Sequence, residues 1–420
     1  MTQPQDEPQA PPQAPPQDPP QGQPQDGLHN QPKNEPKNEP QNEPHEGRAG
    51  ALFADAVFAR SWPKLDAPQA AALAARAFGI SGDATLLTSE RDQNFRIDGP
   101  DNAAYVLKIT HPAEDAGVTD FHTQAQLHLM RADATLPIPR LIATRDGQSV
   151  YWRGLGSGSD GSAPTRQAVR LITFIPGVPL YKVARSAAQR RALGTALARI
   201  DLALHGFTHA HASHRLLWDL QHLAQLRPLL ACIEDPARQS LVRRYLDRFE
   251  ARVAPVLSTL RRQVIHNDLN PYNVLVDAED HDRVAAVFDF GDMVEAPLVN
   301  EIAVAAAYQL ADAPDPLVTA AECIGAYHAR LPLTDTEIAL LPDLIAARLM
   351  TTVLITSWRA REHPENSAYI LRNSGLSWNG LERLDALGMD QAVRSLQHAL
   401  QQALTMSQDH SHQQVEDIHE

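Results

Sequence analysis

The chain has 420 residues and a formal net charge of −14, a balance that argues against non-specific binding to DNA or RNA and suits an amine-bearing small molecule. Its two cysteines, Cys232 and Cys323, form neither a metal-type spacing nor a disulfide framework, which fits a reducing cytoplasm. No uninterrupted apolar run nears the roughly 20 residues of a bilayer span, so no membrane segment is expected.

Residues 1–50 hold 13 of the 32 prolines, among Gln, Asn, Glu and Asp. Such a segment buries too little apolar surface to offset its ordering entropy, so a disordered tail without a secretory apolar core is expected there. The folded part is expected over 51–406, with a flexible tail at 407–420. A helix is predicted over 67–78, stopped by Gly79. Strands follow at 84–88, 94–97, 104–110, 139–144, 149–152 and 168–175, with a helix at 121–132 among them. Residues 154–164, GLGSGSDGSAP, read as a flexible loop. Beyond Pro176-Gly177 the pattern turns helical: 186–204, 218–230, 236–253, 300–311, 316–330, 336–356 and 390–405. The fold class is α+β in two lobes, a strand-rich lobe over 51–176 and a mainly helical lobe over 177–406, with the ligand expected in the cleft between them.

One stretch interrupts the helical half. Residues 264–292 place His266, Asp268, Asn270 and Asn273 between apolar runs, then two strands, 274–276 and 285–288, around the turn AEDHD. Buried polar groups cost free energy unless something binds them. If the strands pair as a hairpin, Asn273 and Asp289 meet at its open end, and opposed side chains in such a pair lie ~5 Å apart. Two oxygen donors at that separation suit one hard cation, Mg²⁺, whose other sites go to water and phosphate. Asp268, five residues before Asn273, is left to face a substrate hydroxyl. The spacing matches the protein-kinase signature: His-x-Asp, an Asn five residues on, then Asp289-Phe290-Gly291. His266 is expected to brace the loop through backbone hydrogen bonds.

A phosphate-transfer site also needs positive charge, and Lys108 on the third strand, in AYVLKIT, is the candidate. Two features depart from the kinase pattern. No glycine-rich loop joins the first two strands; LLTSERDQNFRI stands there, with the Ser89 hydroxyl and backbone amides to hold phosphate oxygens. The helix at 121–132 offers Lys108 no glutamate. Gln124 stands at the expected place, with His122 and Gln126 as competing alignments.

HNDLNPYNVLVD, FDFGDMV, SERDQNF and LITFIPG together resemble the aminoglycoside phosphotransferase family of protein-kinase-like small-molecule kinases. Within it the likeness is to the hydroxylysine kinase group and to kinase-like domains fused to aminotransferases, over about residues 60–400. The resemblance implies a nucleotide base held by backbone at Thr173, Phe174 or Ile175. It also implies ATP or GTP as donor and 5-hydroxylysine as acceptor. Candidates to hold a substrate ammonium are Asp219, Asp292 and Glu295, with Trp218 as a pocket wall and Arg348 facing a carboxylate. Rival acceptors are an aminoglycoside, homoserine, choline or a sugar alcohol. The rival outside the enzyme class is a catalytically silent nucleotide-binding module.

Overall fold

The computed structural model describes Trp62 and residues 64–89, 91–156 and 165–416, with side chains as far as Gln402. The tail expected over 1–50 and residues 157–164 of the glycine-serine loop lie outside the described residues.

Helix α1 (Ala67–Phe78) opens on a capping box, in which Asp66 and Gln69 exchange side-chain-to-backbone hydrogen bonds, and ends at Gly79 in the left-handed region (φ 76°). It covers one face of a six-stranded sheet built from β1 (Asp83–Leu87), β2 (Gln93–Asp98), β3 (Ala104–Ile109), β4 (Leu141–Ile142), β5 (Tyr151–Gly156) and β6 (Thr165–Thr173). The order is β1-β2-β3-β6-β4, with β5 also on β6, and every pairing is antiparallel. Alternation along the strands assigns the faces. Phe95, Ile97, Leu107, Ile109, Val169 and Leu171 pack with Leu73, Ala74 and Phe78 of α1. The residues between them, including Asn94, Val106, Lys108, Arg170 and Ile172, turn to the opposite face and line a cleft.

Helix α2 (Ala116–Ala132) starts five residues before the expected 121, because Asp115 caps it by accepting from the Gly117 and Val118 amides. Its Phe121, Ala125 and Leu129 belong to the core of the helical half. That half contains α3 (Ala187–Leu204), α4 (Pro236–Arg252), α5 (Val299–Ala307), α6 (Leu317–Arg330), α7 (Asp335–Glu362), α8 (Ser374–Leu387) and α9 (Met389–Glu416). The helix expected over 218–230 is instead a 3₁₀ segment, Leu220–Cys232, with Pro228 inside it. Proline has no N–H for the i→i−4 ladder, so the tighter turns take over. At the other end, α9 runs ten residues past 406, where a loose tail is expected; 407–416 contain neither Gly nor Pro to stop it. Helix α7 is long and apolar enough to cross a membrane by length and composition, but most of it is buried against its neighbours, and Asp343 and Arg348 interrupt it.

Three small strand pairs hold the polar stretch in place. β8 (Arg262–Ile265) pairs with β11 (Val294–Pro297), and β9 (Val274–Val276) pairs with β10 (Val284–Val287) as the sequence predicts. β7 (Val178–Pro179), just past the crossover at 176–177, adds to β9. A Cβ at Gly177 would stand 2.7 Å from the Val276 carbonyl oxygen, so this close approach needs glycine.

The tightest helix contact is between α3 and α6, where a Cβ on Gly194 would lie 2.1 Å from the Cys323 carbonyl oxygen. Gly194→Ala should therefore force the two helices apart and destabilise the protein by about 1–3 kcal/mol. A lower urea midpoint at unchanged m-value is the expected result; an unchanged midpoint would mean the helices are not in contact there.

Candidate active site

The loop 266–273 is held by groups that the sequence reading does not single out. Glu301, fully buried on the apolar helix α5, accepts the backbone N–H groups of both His266 and Asn267. Its carboxyl is pushed up by burial, against the opposing pull of His266 and the two amides. Asn267 adopts a left-handed conformation (φ 65°), which Asn tolerates better than most residues. The His266 ring spans the loop: Nδ1 accepts from the Asp268 amide at 3.3 Å, and Nε2 lies 3.1 Å from the Phe288 carbonyl oxygen. It braces the loop, as expected.

Asp268 emerges from this frame into a cavity of about 1080 Å³ shared by both halves. Its Oδ2 accepts from Asn270 at 2.9 Å and from Asn273 at 2.7 Å, and its Oδ1 accepts from Arg348 Nη2 at 2.7 Å. Burial pushes its pKa up to about 7, with Arg348 pulling the other way. Asn273 spends its amide nitrogen on Asp268, which leaves its Oδ1 for a further partner. The expected Asn273–Asp289 opposition is shifted by one residue: the β9–β10 register sets Asn273 opposite Phe288, whose amide donates to the Asn273 carbonyl, and Asp289 follows just beyond the hairpin mouth. Asp289 is itself left-handed (φ 63°), and both Asn273 and Asp289 line the cavity. Burial opposes ionisation of Asp289, but Lys108 and Arg91 outweigh it and hold its pKa below the usual carboxylate value. Among the described residues no three His, Cys, Asp or Glu side chains gather as a metal cage, so any cation here would rest on Asn273, Asp289 and outside oxygens.

The sheet half supplies the facing charges. Lys108 Nζ lies 3.7 Å from Asp289 Oδ1, and its neighbours across the ladder are Asn94 on β2 and Arg170 on β6. Ser89 lines the cavity, as do Thr173, Phe174 and Ile175. The Thr173 and Phe174 amides already donate to Arg140 and Ala104 carbonyls at 2.9 Å, so of these three amides that of Ile175 is the one left for a nucleotide base.

Four candidate side chains, Gln124, Asp219, Glu295 and Arg348, stand otherwise than expected. Gln124 does not reach Lys108; it donates to Asp120, one turn earlier on the outer face of α2, while His122 and Gln126 face the cavity. The acid near the sheet cations is Glu114, which precedes the helix and accepts from Thr119 at 3.0 Å. Burial raises its carboxyl pKa, and Arg170 and Arg91 pull it back. Asp219 is an N-cap, buried and bonded to Gln221, and does not line the cavity. Glu295 alternates with the buried Val294 and Ala296, so β11 turns it outward, where it accepts from Ser213. Arg348 faces a carboxylate, but that of Asp268, while its Nε and Nη2 donate to the Tyr308 hydroxyl and its guanidinium lies 5.3 Å from the Trp218 ring. Trp218 and Asp292 line the cavity, where Asp292 pairs with Arg91.

Cations on a sheet facing carboxylates on a helical half, across one deep cleft, form the layout of a protein-kinase-like phosphotransferase. Comparison with known proteins gives the same class: residues 83–333 match the phosphotransferase enzyme family (APH), and the chain belongs to that family. It is 27% identical to hydroxylysine kinase of Mus musculus over 344 residues, covering 78% of this chain and 91% of the mouse protein. The fold is similar to that of amicoumacin kinase hAmiN, solved in complex with AMP-PNP and Ca²⁺ (TM-score 0.54, 15% identity, 74% of this chain and 93% of that one). A microcompartment-associated aminopropanol kinase is also similar (TM-score 0.52, 18% identity, 77% and 99%). The chain is thus a phosphotransferase acting on hydroxyl groups.

Arg348 and Asp268 form a buried charged pair eighty residues apart. Arg348→Met should leave Asp268 unsupported and misoriented, lowering kcat ~10²-fold. The nucleotide Kd should stay within about threefold, because the nucleotide side of the cleft is untouched. Steady-state kinetics with calorimetry checks both; an unchanged kcat would remove the pair from catalysis.

Proposed function

We propose that this chain is a Mg²⁺-dependent kinase that transfers the γ-phosphate of ATP or GTP to the hydroxyl of a small amine-bearing acceptor, with 5-hydroxylysine the first choice. The observation that carries the reading is that Asp268, Asn273, Asp289 and Lys108 open onto one cavity. The acceptor choice rests on the similarity to hydroxylysine kinase over most of both chains.

The residues fit a hard cation. Asn273 has only its amide oxygen left to offer, and Asp289 is kept ionised by its two cationic neighbours. When bound, Mg²⁺ neutralises phosphate charge that the protein alone leaves unbalanced. Lys108 steadies the donor phosphates from the sheet side. The Ser89 hydroxyl donates a further hydrogen bond to the phosphate oxygens, and the Ile175 amide meets the base beneath Val106 and Ile172. Asp268 receives the acceptor hydroxyl and takes its proton, held in aim by Arg348 on one oxygen and by Asn270 and Asn273 on the other. The protein has little covalent work to do; positioning and charge neutralisation carry the rate.

An acceptor panel tests this: 5-hydroxylysine, homoserine, choline, an aminoglycoside and a sugar alcohol, each with MgATP or MgGTP, following nucleoside diphosphate release. Turnover with 5-hydroxylysine is expected, and Asp268→Asn should lower it by about 10²–10⁴ with nucleotide binding kept. Turnover with another member alone would reassign the acceptor. Nucleotide binding without turnover on any acceptor would make the chain a silent binding module.

A further inference from the structure

The turn between β1 and β2 carries no glycine, so its backbone has less freedom to follow a phosphate chain closely. It carries Arg91 instead. That side chain leaves the sheet half and crosses the cleft to the 289–292 turn, where Nη2 donates to Asp292 Oδ1 at 2.5 Å. The same Nη2 lies 3.4 Å from the point where Gly291 would bear a Cβ, so the guanidinium rests against that turn. Lys108 approaches Asp289 within the same cavity, at 3.7 Å. Two cations from the sheet half thus reach the 289–292 turn, Lys108 at Asp289 and Arg91 at Asp292. Asp268 has Arg348 as its cation and Asp289 has Lys108, while Asp292 has Arg91. The Asp292 side chain is only 12% exposed, so losing that partner leaves a largely buried carboxylate in need of another cation.

We propose that Arg91 is shared between the two substrates: the donor's terminal phosphates draw its guanidinium from Asp292, and the freed carboxylate receives the acceptor's ammonium. This rests on the kinase reading above and adds to it a residue and a coupling. Guanidinium forms bidentate contacts with phosphate that a carboxylate on a fixed turn does not improve on, so a triphosphate competes well for Arg91. A monophosphate, ending short of the turn, does not. Coupling between binding sites is reciprocal, so the donor tightens the acceptor and the acceptor tightens the donor by the same factor. An acceptor without an amine gains nothing from the exchange.

Calorimetry on the full chain tests it, with AMP, a non-hydrolysable ATP analogue and 5-hydroxylysine, in Mg²⁺ buffer. In the wild type the ATP analogue should tighten 5-hydroxylysine by about fivefold or more, and AMP should not. In Arg91→Ala the preference for the ATP analogue over AMP should fall by about tenfold or more. 5-Hydroxylysine should then bind the nucleotide-free variant more tightly than the nucleotide-free wild type, with little further gain from the analogue. Unchanged AMP affinity shows that the variant is folded. An Arg91→Ala protein that keeps both the analogue-over-AMP preference and the coupling overturns the proposal. A wild type that binds neither these adenine nucleotides nor their guanine counterparts overturns the kinase reading and this inference together. A wild type that binds nucleotide but shows no coupling overturns the exchange alone.

Discussion

A single buried carboxylate shapes the site. Glu301 sits within an otherwise apolar helix and takes the backbone N–H groups of His266 and Asn267. Without it two buried donors would go unpaired, each costing about 1–3 kcal/mol. With it, the chain makes its left-handed step at Asn267 and presents Asp268 to the cavity. His266 then ties the loop to the Phe288 carbonyl, and the Phe288 amide ties the hairpin back to Asn273. The orientation of Asp268, Asn273 and Asp289 follows from this closed set of backbone contacts. This is why a stretch of polar residues is retained between buried strands.

Charge is divided unevenly between the halves. The sheet brings Arg91, Lys108 and Arg170 to the cleft; the helical half brings Asp268, Asp289 and Asp292. On the helical half Arg348 stands beside Asp268, backed by the Tyr308 hydroxyl and the Trp218 ring. Charges of opposite sign meet across the cleft as the pairs Arg91–Asp292 and Lys108–Asp289. A phosphate-rich donor inserted between them would meet cations from one wall, while the carboxylates of the other wall need a metal or an ammonium to accept it.

The strongest features were legible in the sequence because they are local. Residues 266–292 state the loop, the hairpin and the 289–291 turn within a span of thirty residues, and alternation in AYVLKIT puts Lys108 on the face opposite the sheet core. Long-range partners were not legible. Nothing near Asp268 announces Arg348, eighty positions away on α7, and the lone acid of LVNEIAVAAA is the only sequence trace of Glu301. The Gln124 expectation failed on a helix boundary: the Asp115 cap begins α2 earlier, and Glu114, just outside it, faces the sheet cations. Asp219 and Glu295 were misread because a cap and an outward strand position look, in one dimension, like free carboxylates.

In the proposed kinase, Asn273 and Asp289 together receive a divalent cation at the mouth of the β9–β10 hairpin. Electron paramagnetic resonance of Mn²⁺, titrated into the protein with a non-hydrolysable ATP analogue, tests it directly. One tight, nucleotide-dependent site is expected, weakened by about tenfold or more in Asp289→Asn, since a charged hard-oxygen donor is lost. An Mn²⁺ affinity unchanged by that substitution would contradict it.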